Sequence, residues 1–426
     1  MQKVYALVGY VLLPAALAHL ALKSARSPVY TRHWRERLGW YRGPACAKKI
    51  WVHACSVGEV ESCIPLIHAL QQRYPDFSCL MTTTTPTGRE RVNNAFADTV
   101  ECVYLPFDAT FAVKSFLSRY QPVIAVIVEK EIWPNLFLQC KQNGIPLVLV
   151  SAFFSARSFR RYHCWHVIVK PVFQAIDRVG SQTALAARQF RQLGVNPASI
   201  SVTGNLKFQR AVSERQRRQA SQLRQRLFAS RPVWIAGSTH EHEESWLLER
   251  LPDLLSAIPD VLLVLAPRHP QRVSVIEDVC EQKAIACVTR SSGLPCTDNT
   301  HVFMLDTLGE LMDFYGAADV AFVGGSLIDH GCHNLLEPAA WGIPIVFGAS
   351  IYNCEDIATG LVAAGGAVSV DNADQCALII RELLLDADKS EKMGNNARQY
   401  LLTQQGQLEN TLKMIDGVLD TSSLLT

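Results

Sequence analysis

The pattern of apolar and polar positions predicts alternating strands and helices along most of the chain. Short runs rich in β-branched residues, bounded by turn residues, alternate with stretches of helical spacing. Continuous apolar runs of this length are typical of buried parallel strands with helices on both faces of the sheet. We therefore predict an α/β protein with doubly wound, Rossmann-like domains. The predicted strands are 50–54, 77–85, 100–106, 123–129, 146–153 and 199–204 in the first half, and 232–239, 261–269, 301–306, 319–325, 344–348 and 367–370 in the second.

A polar, arginine-rich stretch separates the two groups of strands. It lies at 214–231, has a helical pattern and contains no strand-like run. A chain of 426 residues has room for two or three domains of ~150 residues, so this stretch indicates a domain boundary. The helical pattern of 373–419 leaves open that the chain end packs back across the junction. The predicted segments are a membrane anchor at 1–22, a first Rossmann-like domain at 23–206, a linker at 207–231 and a second Rossmann-like domain at 232–426.

The apolar N-terminal segment predicts a membrane anchor. Residues 4–22 contain no Asp, Glu, Lys or Arg, and as a helix they have the length to cross a hydrocarbon layer of ~30 Å. A cleaved signal peptide is the alternative, disfavoured because the stretch is long and no small-residue cleavage site follows it. The positive-inside rule places the remaining chain in the cytoplasm. The rule applies because more basic residues follow the segment than precede it. Lys3 precedes it, and the residues that follow it are Lys23, Arg26, Arg32, Arg35 and Arg37.

Composition excludes several classes of protein. Lys and Arg number 41 against 39 Asp and Glu, and a net charge of +2 gives no overall positive field for non-specific nucleic-acid binding. The 13 cysteines are scattered without a Cys-x-x-Cys pair, which disfavours a disulfide framework and a zinc ribbon. The reducing cytosol is the expected compartment for the bulk of the chain.

Acidic residues follow two strands of the first half, where ligands bind in parallel sheets. After the first strand, Ser56 and Gly58 predict a tight turn and Glu59 begins a helix. Glu59 is a candidate general base, or a carboxylate that only stabilises the helix dipole. Glu129 and Glu131 follow the fourth strand, and a polar substrate site and an acidic helix start are equally open there.

Loops of the second half predict a nucleotide-phosphate pocket. Arg268 offers phosphate a planar fork of donors, and Glu337, after Asn334, is a candidate acceptor for ribose hydroxyls. Neither a Walker A motif nor a complete G-x-G-x-x-G is present. Two glycine-containing loops are expected to leave backbone N–H groups free at helix starts. They contain Gly237, Ser238 and Thr239, and Gly324, Gly325 and Ser326.

Two histidine-containing clusters raise the question of a metal ion. The first lacks H-E-x-x-H spacing, so a polar helix start is the favoured interpretation. It consists of His240, Glu241, His242, Glu243 and Glu244. The second is a minor alternative as a soft-metal site and consists of His330, Cys332 and His333. We predict no metal and no cofactor.

Eight collinear motifs resemble those of the 3-deoxy-D-manno-octulosonic acid (Kdo) transferases of Gram-negative bacteria, over nearly the whole chain. The motifs are HACSVGEVES, TTTTPTGRERV, VEKEIWPN, SARSF, TGNLKF, AGSTHEHEE, LAPRHPQR and GGSLIDHGCHNLLEPAAWGIPIVFG. The resemblance implies a GT-B glycosyltransferase fold, with two Rossmann-like domains facing a cleft. It implies transfer of Kdo from CMP-Kdo to the lipid A precursor lipid IVA in lipopolysaccharide biosynthesis. The first domain would bind the acceptor and the second the nucleotide sugar, on the cytoplasmic face of the bacterial inner membrane and in contact with its lipids.

The resemblance also implies roles for individual residues. The glutamate of the family's S-V-G-E motif is taken as the catalytic base, which corresponds to Glu59. The P-R-H loop, the G-G-S loop and the N-x-x-E-P glutamate serve CMP, which adds His269 to the predicted pocket. Further candidate substrate contacts are Ser56, Gly58, Arg91, Glu129, Glu131 and Lys207. The chain departs from the family where Cys332, Cys354 and Lys130 replace Gly, Phe and Thr, which puts local contacts in doubt.

Two other function classes are weighed against the transferase. A membrane-tethered lipid- or nucleotide-binding protein without catalysis would lack the base or the phosphate arginine, and both Glu59 and Arg268 are present. A GT-B enzyme with a UDP-sugar donor, or a non-hydrolysing epimerase, would keep the fold. An epimerase acting on a soluble nucleotide sugar has no use for an anchor, so we favour the transferase.

Overall fold

The computed structural model describes residues 2–41, 48–209 and 212–420. Contacts between Cα atoms divide the chain into two compact units. Unit 1 consists of Met1–Gln209 and Gln405–Thr426, and unit 2 of Arg210–Gln404.

Unit 1 is built on a parallel sheet of seven strands in the order β3-β2-β1-β4-β5-β6-β7. The strands are β1 Lys49–His53, β2 Ser78–Thr83, β3 Val100–Tyr104, β4 Pro122–Val128, β5 Leu147–Ala152, β6 Arg178–Ser181 and β7 Ile200–Val202. Its first eight helices are α1 Gln2–Arg26, α2 Val57–Arg73, α3 Pro86–Phe96, α4 Thr110–Tyr120, α5 Pro134–Gln142, α6 Ala156–Cys164, α7 His166–Phe173 and α8 Ala184–Gln192. Alternate residues of a central strand serve opposite cores, with Trp51 on one face and Val52 on the other.

Unit 2 repeats this architecture with the strand order β10-β11-β9-β8-β12-β13-β14, again parallel. The strands are β8 Val233–Thr239, β9 Leu262–Pro267, β10 Cys287–Thr289, β11 Val302–Met304, β12 Val320–Val323, β13 Ile345–Gly348 and β14 Ala367–Val370. The helices are α9 Glu214–Leu223, α10 Glu243–Ala257, α11 Val273–Gln282, α12 Leu311–Tyr315, α13 Leu336–Trp341, α14 Glu355–Ala363, α15 Ala373–Leu385 and α16 Ala387–Thr403. Both faces of this sheet are also covered by apolar cores.

The last helix, α17 Gln407–Leu419, belongs to unit 1 and corrects the predicted second domain, 232–426. Its apolar residues, Ile415 among them, join the core against α2 and the sheet of unit 1. Asp416 accepts a hydrogen bond from the Tyr74 hydroxyl at 2.5 Å and pairs with Arg73 at 2.8 Å. The chain end therefore returns to the first unit, the alternative that the helical pattern left open.

The predicted linker, 207–231, is also corrected. Lys207 lies in unit 1, whereas α9 and the π-helical turn Arg224–Phe228 lie in unit 2. Phe228 is buried there against Phe303 and Phe314, at centroid distances of 5.5 and 6.1 Å. Aromatic packing of this kind makes the segment an integral part of unit 2.

The N-terminal helix α1 has the length and apolar composition of a membrane span. Its candidate span, Tyr5–Ala25, covers 21 residues with a mean hydropathy of 1.8, and only 6% of the span is buried. These properties make α1 a candidate anchor, although a signal sequence has the same length and composition. Its beginning packs on unit 1: Tyr5 is buried and donates to the Ile168 carbonyl, and a Cβ on Gly9 would lie 2.5 Å from the Asp108 carbonyl oxygen. The beginning of α1, at Tyr5 and Gly9, is therefore covered by protein.

Candidate active site

Glu59 lies in the first turn of α2, directly after β1. Its carboxylate accepts hydrogen bonds from the Cys55 backbone N–H at 2.6 Å and from the Ser56 hydroxyl at 3.3 Å. These contacts fix the orientation of the carboxylate. Burial, and then repulsion from Glu129 and Glu131, raise the pKa of Glu59 to about 7. A carboxylate with this pKa both accepts and releases a proton near neutral pH, as a general base must.

The predicted tight turn at Ser56 and Gly58 is wrong. Ser56 is the N-cap of α2, and the helix begins at Val57, so that Gly58 is already helical. Gly58 is exposed, and a Cβ there would meet no heavy atom within 4 Å. The space beside Gly58 is therefore open, and Gly58 directly precedes Glu59 in the sequence.

Glu129 follows β4 in a left-handed backbone conformation, with φ of 60°. Such a conformation costs a non-glycine residue of order 1–3 kcal/mol. The buried carboxylate is held by Lys207, whose Nζ lies 2.6 Å from its Oε1. Ser151, near the end of β5, also has a positive φ, of 51°, and its hydroxyl accepts from the Leu206 N–H at 2.9 Å. The adjacent strands β4 and β5 thus each have a strained residue at or near their end, where Glu129 contacts Lys207 and Ser151 contacts Leu206.

Lys207, one of the candidate substrate contacts, forms an ion pair with Glu129 inside unit 1 and lowers the pKa of Glu59. Burial, with repulsion from Glu129, raises the pKa of Glu131. The structure therefore brings together Glu59, Glu129, Glu131 and Lys207 at the carboxyl ends of the strands, and Lys130 also acts on Glu131 as a favourable charge.

Arg91 does not join this group. It lies on α3 and forms an ion pair with Glu61 of α2. Residues two positions apart on a helix point in different directions, so a partner of Glu61 faces away from Glu59. Arg91 thus holds α3 against α2.

In unit 2, the buried carboxylate of Glu243 occupies backbone N–H groups that were predicted to be free for phosphate. It accepts hydrogen bonds from Gly325 at 2.7 Å, Ser326 at 3.1 Å, Leu327 at 3.0 Å and His240 at 3.0 Å. Burial raises the pKa of Glu243, and the four N–H groups act in the opposite direction by favouring the charged form. Glu243 therefore ties the loop after β8 to the loop after β12.

The other residues of the two glycine-containing loops lie in the sheet or form hydrogen bonds with it. The Gly324 N–H donates to the Gly237 carbonyl at 2.8 Å. Gly237, Ser238 and Thr239 end β8, and α10 begins only at Glu243, so they do not form the predicted helix start. A Cβ on Gly324 would lie 2.5 Å from the Ser238 carbonyl oxygen. Glycine at this position permits the close approach of the two loops.

Arg268 and His269 directly follow β9, as predicted. The Arg268 N–H donates to the Thr239 carbonyl at 2.8 Å. Its side chain is exposed, and the guanidinium has no hydrogen bond or ion pair with the residues that the structure describes. The five donors of this group are available to a ligand.

Asn334 and Glu337 contact each other at the start of α13. The Asn334 amide donates to Glu337 Oε1 at 3.0 Å, and its oxygen accepts from the Leu336 N–H at 3.1 Å. Glu337 is half-buried, so its carboxylate is partly accessible to solvent.

Histidines from the two predicted clusters meet in one place. Nε2 of His240 lies 2.8 Å from Nε2 of His333, and the rings of His240 and His330 are 3.9 Å apart between centroids. Burial, followed by neighbouring cationic groups, lowers the pKa of His240 and of His333 to about 4. Cys332 is turned away from them toward Cys354. Only proximity in the fold joins His240 to the others, since 93 positions separate it from His333.

Comparison with known proteins identifies the family. The 3-deoxy-D-manno-octulosonic acid transferase of Haemophilus influenzae is 36% identical over 410 residues, which cover 96% of each chain. The chain belongs to the Kdo transferase family. The Bordetella pertussis transferase of the same name is 34% identical over 88% of this chain and 89% of its own. A family model described as 3-deoxy-D-manno-octulosonic-acid transferase matches residues 32–210, and one described as glycosyl transferases group 1 matches 289–400.

The fold predicted for a Kdo transferase is confirmed. Two parallel seven-stranded sheets covered by helices form the Rossmann-like units of a GT-B enzyme. A UDP-N-acetylglucosamine 2-epimerase structure from Listeria monocytogenes shares the fold, with a TM-score of 0.59 over 88% of this chain and 97% of its own. Its sequence identity is 12%, so it shows the fold alone. The chain is a glycosyltransferase of lipopolysaccharide biosynthesis that transfers Kdo.

Proposed function

We propose that this Kdo transferase moves Kdo from CMP-Kdo to the lipid A precursor lipid IVA, with inversion at the anomeric carbon. The observation that carries the proposal is the carboxylate of Glu59, fixed by two hydrogen bonds and with its pKa raised to about 7. A glycosyltransferase that inverts by direct displacement needs one base for the acceptor hydroxyl, and Glu59 has the pKa for it.

In the proposed step, Glu59 takes the proton of a lipid IVA hydroxyl. The hydroxyl oxygen forms a bond to the anomeric carbon of Kdo while the bond from that carbon to the phosphate oxygen of CMP breaks. The proton remains on Glu59, and CMP leaves with the electron pair. Lys207 holds Glu129 in an ion pair, and repulsion from Glu129 helps to keep the pKa of Glu59 high.

The leaving phosphate gains negative charge, and we assign its stabilisation to Arg268. Its guanidinium is exposed and unengaged among the described residues, whereas the N–H groups of Gly325 and Ser326 already bind Glu243. A planar guanidinium contacts two phosphate oxygens at once. The proposed step therefore uses Arg268 for charge stabilisation and requires no metal ion.

We expect Arg268→Ala to weaken CMP binding by about 10–100-fold, the loss of one or two charge-assisted hydrogen bonds. Arg268→Lys restores the charge but not the fork, so it should recover only part of the affinity. Calorimetry with CMP measures both variants. Arg381→Ala, an exposed arginine on α15, is the matched control and should bind as the wild type does. Unchanged CMP affinity in Arg268→Ala would remove Arg268 from the site.

We also propose that α1 holds the enzyme on the inner membrane, with both units on the cytoplasmic face. The helix has one side against unit 1, at Tyr5 and Gly9, while Leu7 and Val11 are 64% and 66% exposed. Leu7 and Val11 are one helical turn apart and form an apolar surface that lipid can cover. The lipid acceptor lies in the same membrane, so attachment raises its effective concentration.

The double substitution of Leu7→Asp and Val11→Asp should reduce binding to phosphatidylethanolamine–phosphatidylglycerol vesicles by at least about tenfold. Turnover of acceptor dispersed in detergent should stay within about twofold of the wild type, since attachment supplies concentration and not chemistry. Vesicle sedimentation and a detergent assay measure the two effects. Leu378→Asp, at a leucine of unit 2 that is 55% exposed, is the control. Equal vesicle binding by the double variant and the control would exclude this surface.

The proposed donor is tested by CMP release. We expect the purified chain to release CMP from CMP-Kdo when lipid IVA is present, and to leave UDP-N-acetylglucosamine unchanged under the same conditions. Turnover of the UDP sugar without turnover of CMP-Kdo would overturn the donor assignment.

A further inference from the structure

Three histidines of unit 2 converge from two separate loops. His240 follows β8, whereas His330 and His333 lie between β12 and α13. One ring nitrogen from each lies within 4.8 Å of the others. The transfer reaction proposed above gives this convergence no role.

The spacing of the nitrogens suits a shared ion. The two Nε2 atoms 2.8 Å apart satisfy each other only if one ring donates its proton to the other. Zinc binds imidazole nitrogen at about 2.0–2.1 Å, so tetrahedral ligand nitrogens lie roughly 3.3 Å apart. The observed separations, from 2.8 Å up to at most 4.8 Å, bracket this value. An ion therefore needs changes in these separations of roughly 0.5 Å to at most roughly 1.5 Å.

The backbone holds both loops in register for such an ion. Glu243 binds the N–H groups of His240 and Gly325, and the His333 N–H donates to the Gly324 carbonyl at 3.1 Å. A Cβ on Gly325 would lie 3.0 Å from Cδ2 of His333 and 2.5 Å from the Gly331 carbonyl oxygen. Gly325 thus leaves room for the His333 ring, and the ligands come from a rigid frame.

Burial decreases from one histidine to the next. His240 is buried, His333 is half-buried and His330 is exposed, so the group opens toward solvent on one side. Three imidazoles with an open side match the three-ligand arrangement that leaves a fourth position for water or substrate. Nitrogen ligands favour borderline transition metals over magnesium and calcium, which prefer oxygen.

We propose that His240, His330 and His333 bind one borderline divalent transition-metal ion, with Zn²⁺ as the first candidate. The fourth coordination position is open to an oxygen ligand. The nearby guanidinium of Arg268 opposes a cation, and the carboxylate of Glu243 behind the His240 loop favours it. The site stands independently of the transfer reaction.

Zinc titration of the full chain in detergent, without donor or acceptor, tests the site. We expect one Zn²⁺ per chain that depends on these histidines. His330→Asn, at an exposed ligand, should lower the affinity at least about tenfold, the effect of removing even a supporting group. His240→Asn should do the same. His242→Asn, two positions from His240 and outside the group, is the control and should bind as the wild type does.

Cobalt substitution separates this site from binding at cysteines. Co²⁺ bound by the histidines should give the visible bands of a four-coordinate ion without thiolate charge-transfer absorption, and His330→Asn should abolish them. The proposal is overturned by a chain that takes up no zinc, by equal affinity in His330→Asn, His240→Asn and wild type, or by a thiolate signature. None of these outcomes bears on Kdo transfer.

Discussion

We expect Glu59→Gln to lower kcat/KM for Kdo transfer by about 10²–10⁴-fold, the usual contribution of general base catalysis. Glutamine keeps the shape of the side chain, and its amide oxygen still accepts from the Cys55 N–H, so the local structure before α2 is largely retained. It has no group that takes a proton at neutral pH. Steady-state kinetics measures the loss, and circular dichroism checks that the fold is intact.

Two controls make this result specific. Glu61→Gln changes a glutamate of the same helix that binds Arg91 and should leave kcat/KM within a few-fold of the wild type. The wild-type kcat/KM should rise with pH around 7, because Glu59 has a raised pKa and becomes an active base only as its proton is lost. Glu59→Gln should lack this rise. Near-normal turnover by Glu59→Gln would exclude Glu59 as the base.

Glu243→Gln should destabilise unit 2 by about 2–4 kcal/mol. A glutamine in this position has one acceptor oxygen in place of two, and its NH₂ group faces backbone donors. At least one buried N–H then loses its partner, at a cost of ~1–3 kcal/mol, and the remaining bonds lose their charge assistance.

Native-state hydrogen exchange reports this loss at the residues concerned. The amides of Gly325, Ser326 and Leu327 should exchange faster in Glu243→Gln, by the factor that corresponds to the lost stability. Glu241→Gln is the matched control, since the Glu241 side chain is 70% exposed and pairs with Arg272 at 3.4 Å instead of with these amides. Equal exchange rates at these amides in the Glu243 variant and wild type would show that the carboxylate does not hold the loops.

The sequence predicted most strands because most are continuous apolar runs, such as β4 and β9. It did not predict β6, Arg178–Ser181, or β10, Cys287–Thr289. β6 contains Gly and Ser, and β10 is a half-buried strand of three residues, so neither has a long apolar run. Their places are fixed by pairing with the neighbouring strands.

The sequence predicted where the site residues lie better than it predicted which residues they contact. Glu59, Glu129 and Arg268 lie at strand ends, as the loop pattern and the family resemblance implied. Glu243 does lie at the predicted polar helix start, but nothing local indicates that Gly325, 82 positions away, donates to it. The ion pair of Lys207 with Glu129 was not predicted for the same reason. Interactions between residues distant in the chain depend on the fold, which hydrophobic periodicity alone does not specify.

Mass spectrometry of lipid IVA incubated with CMP-Kdo and the purified full-length chain tests the proposed reaction most directly. We expect the lipid to gain the mass of one or more Kdo residues, with one CMP released for each. Glu59→Gln, at the same protein concentration and over the same interval, should leave the lipid mass unchanged. An unmodified lipid after incubation with the folded wild-type chain would contradict transfer from CMP-Kdo to lipid IVA.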